Sequence, residues 1–261
     1  MKKSSYMIAA ALAAASLDAS ATAITFNGSG TGPGGVVVTA SAIFDITGNN
    51  LTITLRNTSP SHTPGQQDVS GSTLTGLFWD FTGNPTLTPI SATVAAGSIL
   101  GTCDLVSCVG RTDVGGEFGY QATSFPGGAD RGISSSGYLT TGLSGNIGNF
   151  NNGAAGTDLD KPASLDGINF GIISAALGFN PNGGLSGDPL IQDTVVFLLR
   201  GVSNLTVNDI SHVSFQYGTS LSELRITGDP TNPPVLIPEP GTLALLGLGL
   251  AGLGMLRRRQ K

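Results

Sequence analysis

The chain has 261 residues, 12 of them basic and 17 acidic, for a net charge of −5, and 39 are glycine. Six of the basic residues (Lys2, Lys3, Arg257, Arg258, Arg259, Lys261) and two of the acidic ones (Asp18, Glu239) sit in the terminal segments, so the interior carries six against fifteen, or about −9. With no basic stripe to neutralise phosphates, nucleic acid is argued against as a partner, while regularly placed Val, Ile, Leu and Phe supply enough apolar surface for a packed core.

The N-terminus has the build of an export signal. Lys2 and Lys3 form a basic start, residues 7–17 an apolar stretch, and Ala21-Thr22-Ala23 a small-x-small site, predicting a signal peptide over residues 1–23 cleaved before Ile24. Asp18 falls on the polar side of that boundary.

Beyond it the pattern is that of strands. Residues 42–45 and 51–56 flank Gly48-Asn49-Asn50, and Leu51, Ile53 and Leu55 alternate with Thr52, Thr54 and Arg56, predicting a hairpin with one apolar face. Residues 57–67, with Pro60, Pro64 and Gly65, read as a loop, and residues 74–81 as a strand carrying the single tryptophan, Trp79, and ending at Gly83-Asn84-Pro85. Residues 87–94 follow, interrupted or edged by Pro89.

Cys103 and Cys108 are five positions apart without a neighbouring histidine or CxxC spacing, so in an exported protein they predict a local disulfide closing a small loop. Residues 115–122 read as a further strand. Residues 125–167 are so rich in Gly, Ser and Asn that a long surface excursion is expected there. Strand pattern returns at 168–173, 194–201, 210–217 and 223–227, with Val195, Phe197 and Leu199 on one face and Val196 and Leu198 on the other. Eight or more short strands spaced by turns predict one all-β domain over residues 24–230, a jelly-roll-like sandwich, followed by a Pro-rich stalk at 231–237.

The last 24 residues follow a different logic. Pro238-Glu239-Pro240 interrupts any helix, residues 242–256 carry no charge, and Arg257, Arg258 and Arg259 close the run. Fifteen residues at helical rise reach about 22 Å against a hydrocarbon core of about 30 Å, so a C-terminal transmembrane helix here is short, with Glu239 at the outer interface and the arginines snorkelling on the cytoplasmic side. The GxGxxG spelling at 247–252 follows no strand and lies inside the apolar run, where close helix packing accounts for it.

This order of motif, apolar segment and basic cluster over residues 238–261 resembles the PEP-CTERM sorting signal of Gram-negative bacteria. The resemblance implies that a membrane-embedded exosortase recognises Pro238, Glu239 and Pro240, removes the tail and releases the protein to the cell surface or extracellular matrix. It also implies the inner membrane as a station of the precursor and exopolysaccharide as a possible partner. The phrases at residues 77–85 (LFWDFTGNP, running on to Pro89), 115–120 (GGEFGY) and 213–219 (VSFQYGT) resemble those of a group of exosortase-dependent surface proteins without assigned activity.

For chemistry of its own the chain offers little. His62 and His212 are the two histidines, and no G-x-S-x-G, HExxH, Walker A or EF-hand loop occurs, so neither an enzyme nor a cofactor is expected. Asp80 and Glu117 are the acids in strand contexts; Asp158, Asp160 and Asp166 with Asn151 and Asn152 have the oxygen-rich composition of a Ca²⁺ loop or of any exposed polar loop. Trp79, Phe81, Tyr120 and Tyr217 suit either a core or a sugar-stacking platform. Two functions follow: a structural matrix component, or a carbohydrate-binding module with a specific glycan.

Overall fold

The computed structural model describes residues 23–61, 70–101, 111–122, 124–125, 128–135, 148–150, 169–177, 189–218 and 222–231. All belong to one compact unit, Ala21–Pro233. Residues 1–22 of the expected signal peptide, the apolar C-terminal segment, His62 and the Asp158–Asp160 loop lie outside the described residues.

The described residues are all-β. Their strands are β1 (Ala23–Thr31), β2 (Val37–Thr47), β3 (Asn50–Asn57), β4 (Leu74–Phe81), β5 (Thr88–Val94), β6 (Ile99–Gly101), β7 (Gly119–Ala122), β8 (Arg131–Ser134), β9 (Gly148–Asn149), β10 (Ile172–Ile173), β11 (Leu190–Gln192), β12 (Thr194–Arg200), β13 (Ile210–Tyr217) and β14 (Arg225–Thr231). They pair in the order β5-β12-β3-β2-β1-β14-β13-β4-β10-β11-β6, with β8 branching from β4 and carrying β7 and β9.

The expected hairpin is the most regular part. Thr47 faces Asn50 across the two-residue turn Gly48-Asn49, and Gly48 at φ +60° takes the left-handed conformation such turns require. Leu51, Ile53 and Leu55 are buried while Thr52, Thr54 and Arg56 are not. In β12, Val195, Phe197 and Leu199 point inward and Val196 and Leu198 lie half-buried, as their alternation predicts.

β14 joins the two halves of the structure. Its first residues, Arg225 to Thr227, pair with β13, and its last, Gly228 to Thr231, pair with β1. The crossing is cut for the Phe215 ring: a Cβ on Gly28 would stand 2.8 Å from it and one on Gly228 3.0 Å, so only glycine lets the strands meet there. At the other end, β5 is met by residues 112–114: Val94 N donates to the Thr112 carbonyl at 2.8 Å and Val114 N to the Ala92 carbonyl at 2.9 Å. Phe150 N then donates to the Gly115 carbonyl at 3.1 Å, beside β9. These links carry the order round from β5 through β9, β7 and β8 back to β4, giving a nearly closed barrel with a sandwich-like core. Among the described residues its free edges are correspondingly few.

Four expectations change. The stretch at 125–167 contains β8, whose four residues are all buried between β4 and β7, and Phe150 is 1% exposed. The composition hid this because Gly132 stands where a Cβ would come within 2.5 Å of the Phe78 ring, so the strand has a glycine in place of an apolar marker. Within 115–122, Gly115–Glu117 is a 3-10 turn started by Asp113, whose Oδ1 accepts from Gly115 N at 2.9 Å, and β7 begins only at Gly119. Thr231, placed at the start of the stalk, is the last residue of β14 and pairs with Thr25. Finally, the disulfide expected between Cys103 and Cys108 is withdrawn: no disulfide is found among the described residues, and the pair lies outside them. Main-chain pairing holds the ends of that segment instead, Ile99–Gly101 on β11 and residues 112–114 on β5.

Candidate functional site

Two places merit attention, a polar cluster at one end of the barrel and the end of β14 from which the tail departs. In the cluster, the tight turn after β4, with Gly83 and Asn84 at positive φ, folds Asn84 and Pro85 back over β8. Arg131, fully buried, donates from Nη1 to Asp130 Oδ1 at 2.6 Å and from Nη2 to Asn84 Oδ1 at 2.6 Å and the Pro85 carbonyl at 3.1 Å. Its guanidinium carbon lies 5.5 Å over the Phe81 ring. Asp80 Oδ1 accepts from the Asp130 backbone N–H and Oδ2 meets His212 Nδ1 at 2.7 Å. Burial, and the nearby Asp80 carboxylate, push the Asp130 carboxyl up from its ordinary value, against the pull of Arg131.

Asp80 and His212 do not make a hydrolytic relay. Ser211 Oγ, at 3.4 Å, approaches the same Nδ1 that Asp80 occupies, whereas a triad needs the carboxylate and the nucleophile on opposite ring nitrogens. His212 is on an exposed bulge of β13 with φ +50°, where the register on β4 shifts between Ser211 and Ser214. Glu117 is likewise committed: it is buried and takes Arg111 Nη2 at 2.7 Å, while Arg111 Nε donates to the Asp113 carbonyl. Among the described residues no three His, Cys, Asp or Glu side chains gather as metal ligands.

The aromatic platform is ruled out by burial. Trp79, Phe81, Tyr120 and Tyr217 are at most 5% exposed, and Trp79 packs edge-on against Phe44 of β2 at 5.8 Å. These residues are core. An open groove of about 520 Å³ lined by Pro33, Gly71, Tyr217, Gly218, Glu223 and Arg225 borders the β13–β14 turn, whose tip, residues 219–221, lies outside the described residues.

At the second place, Thr231 Oγ1 donates to the Thr25 carbonyl at 3.0 Å, and Ala23 opens β1 on the adjacent strand opposite Asp45. The first residues after the expected signal cleavage and the last residue of β14 thus meet at the end rung of the β1–β14 ladder. Ala21, Pro238, Glu239, Pro240 and the Arg257–Arg259 cluster lie outside the described residues.

Comparison with known proteins bears on that tail. The family model of the PEP-CTERM protein-sorting motif matches residues 236–259, a span that contains Pro238, Glu239 and Pro240 and ends on Arg259. No curated protein and no solved structure matches the chain. With apolar run, basic cluster and motif in their required order, the chain carries a PEP-CTERM sorting motif, the mark of an exosortase-dependent surface protein.

Proposed function

We propose that the mature protein is a structural component of the cell surface or its exopolysaccharide matrix, delivered by two processing steps. The signal peptide is cut between Ala23 and Ile24; the precursor is then held in the inner membrane by residues 242–256 until exosortase acts at Pro238-Glu239-Pro240, with Arg257, Arg258 and Arg259 keeping the end cytoplasmic. The observation that carries this reading is the sorting-motif match at residues 236–259. A structural role, more than a catalytic one, is supported by the way Asp80, Glu117 and His212 spend their polar atoms on ion pairs and hydrogen bonds. A glycan-binding module would need a site other than the four strand aromatics, which are buried.

Fractionation with mass spectrometry of the mature C-terminus tests the processing. Glu239→Ala removes the motif's charge while the apolar run still holds the precursor, so uncut protein accumulates in the inner membrane. A surface-localised product that still carries residues 243–261 refutes exosortase processing. A glycan array on the mature protein separates the matrix role, for which no single glycan stands out, from a specific lectin-like one.

A further inference from the structure

The phrase at residues 77–85 lies outside the sorting-motif match, and much of it closes round one guanidinium. Arg131 stands directly across the ladder from Trp79. Phe81 lies beneath its charge, Asn84 and Pro85 accept from Nη2, and Asp80 positions Asp130, the carboxylate that takes Nη1, by holding its backbone N–H. The phrase builds a cage for a residue about 50 positions downstream.

The donor count of that cage does not close within the protein. A guanidinium brings five N–H donors, an indole one N–H and a phenol one O–H. Arg131 Nε, Trp79 Nε1 and Tyr120 Oη have no partner among the protein's own groups, although all three side chains are buried. They are neighbours on the inward face of the sheet. Trp79 and Arg131 are a registered pair, and the Tyr120 ring is 6.2 Å from the Trp79 ring. Burial holds the Tyr120 hydroxyl above its ordinary pKa while the charge and a hydrogen-bonding approach of Arg131 draw it down, yet the approach is too poorly aligned to give either Tyr120 Oη or Arg131 Nε a partner. Three unpaired donors on one buried face are more than a stable core leaves unmet.

What completes them has to accept. An anion is disfavoured, because Asp130 already neutralises Arg131 and Asp80 adds a second negative charge beside it. A neutral acceptor small enough for a closed interior, with hydrogen atoms of its own to offer the Tyr120 oxygen, is water. We propose that residues 79–85, Tyr120 and Arg131 form an internal water site in which bound water joins Trp79 Nε1, Tyr120 Oη and Arg131 Nε.

The test is a high-resolution crystal structure of the exported protein, with bromide replacing chloride in the crystallisation medium. The expected result is a density peak within hydrogen-bond distance of Trp79 Nε1 and Arg131 Nε that carries no anomalous signal. Absence of a peak overturns the site, and an anomalous peak there overturns the water in favour of an anion. Tyr120→Phe supplies a second reading in solution. Loss of a hydroxyl bonded to bound water lowers Tm, whereas loss of a buried hydroxyl with no partner leaves Tm unchanged or raises it, and that outcome overturns the three-donor site.

Discussion

The two halves of the barrel solve the same problem with different materials. β1, β2, β3 and β12 are long, antiparallel strands whose alternate residues form a dry core, with Phe44, Leu51, Ile53 and Phe197 fully buried and threonines on the outer face. β4, β7 and β8 are buried on both faces and place Arg131, Gln121 and Ser134 among the enclosed residues. Phe78 looks outward from β4 onto Phe125, a ring contact of 4.8 Å that forms a second, smaller apolar layer. A sheet covered on one side is stabilised by area; one covered on both sides can hold charge, provided every group is paired.

The largest effect expected is in the dry half. Phe197 is packed between Phe118 at 5.0 Å and Phe150 at 5.2 Å, so Phe197→Ala should cost about 3–5 kcal/mol in urea unfolding. In the half covered on both faces, Gly132→Ala drives a Cβ into the Phe78 ring and should cost about 1–3 kcal/mol; a neutral result would show that β8 is not packed as core and break the comparison. Alkaline pH should separate the halves further. Burial raises the Tyr217 and Tyr120 hydroxyls above their ordinary value of 10.0, so their contribution is intact below that value and is lost as pH climbs through the higher folded one. Both tyrosines stand on β7 and β13, so Tyr217→Phe should flatten the alkaline fall in Tm without altering it near neutrality. The smallest effect belongs to Arg56, whose ion pair with Asp193 at 2.8 Å is exposed. Arg56→Ala should cost less than about 1 kcal/mol, and less again in high salt.

The same contrast explains what the sequence makes legible. Residues 51–56 and 194–200 announce themselves because one face meets water and the other does not, and 74–81 and 210–217 do so through their aromatic and β-branched content. β8 has no such alternation: Arg-Gly-Ile-Ser is a core strand only because Phe78 and Asn84 are arranged to receive it, and those partners are distant in the chain. β1 lacks a strand signature for a related reason, since its Gly28 and Gly30 are shaped by Phe215 and Ile226 across the seam. The sorting motif was legible because it is local: a short string read by a membrane enzyme carries its meaning without a fold. Asp80 was recognisable as a candidate, but nothing near Asp130 or Arg131 in sequence marked them as its neighbours.

The sheet-switching course of β14 has a mechanical consequence. The chain runs from Thr231 toward the sorting motif, so tension on the tail is applied at the last rung of the β1–β14 ladder, the pair Thr25 and Thr231. The ladder bonds run perpendicular to the strands, so a pull directed away from β1 opens rungs singly, like a zipper, beginning at that pair. Peeling would proceed to Gly228, opposite Gly28, and there meet the Phe215 ring seated on both glycines. Beyond that point β14 is bonded to β13, and further extension must disturb the opposite half of the barrel. The glycine pair and its phenylalanine therefore act as a catch, yielding a few residues of slack before the load reaches the body of the protein.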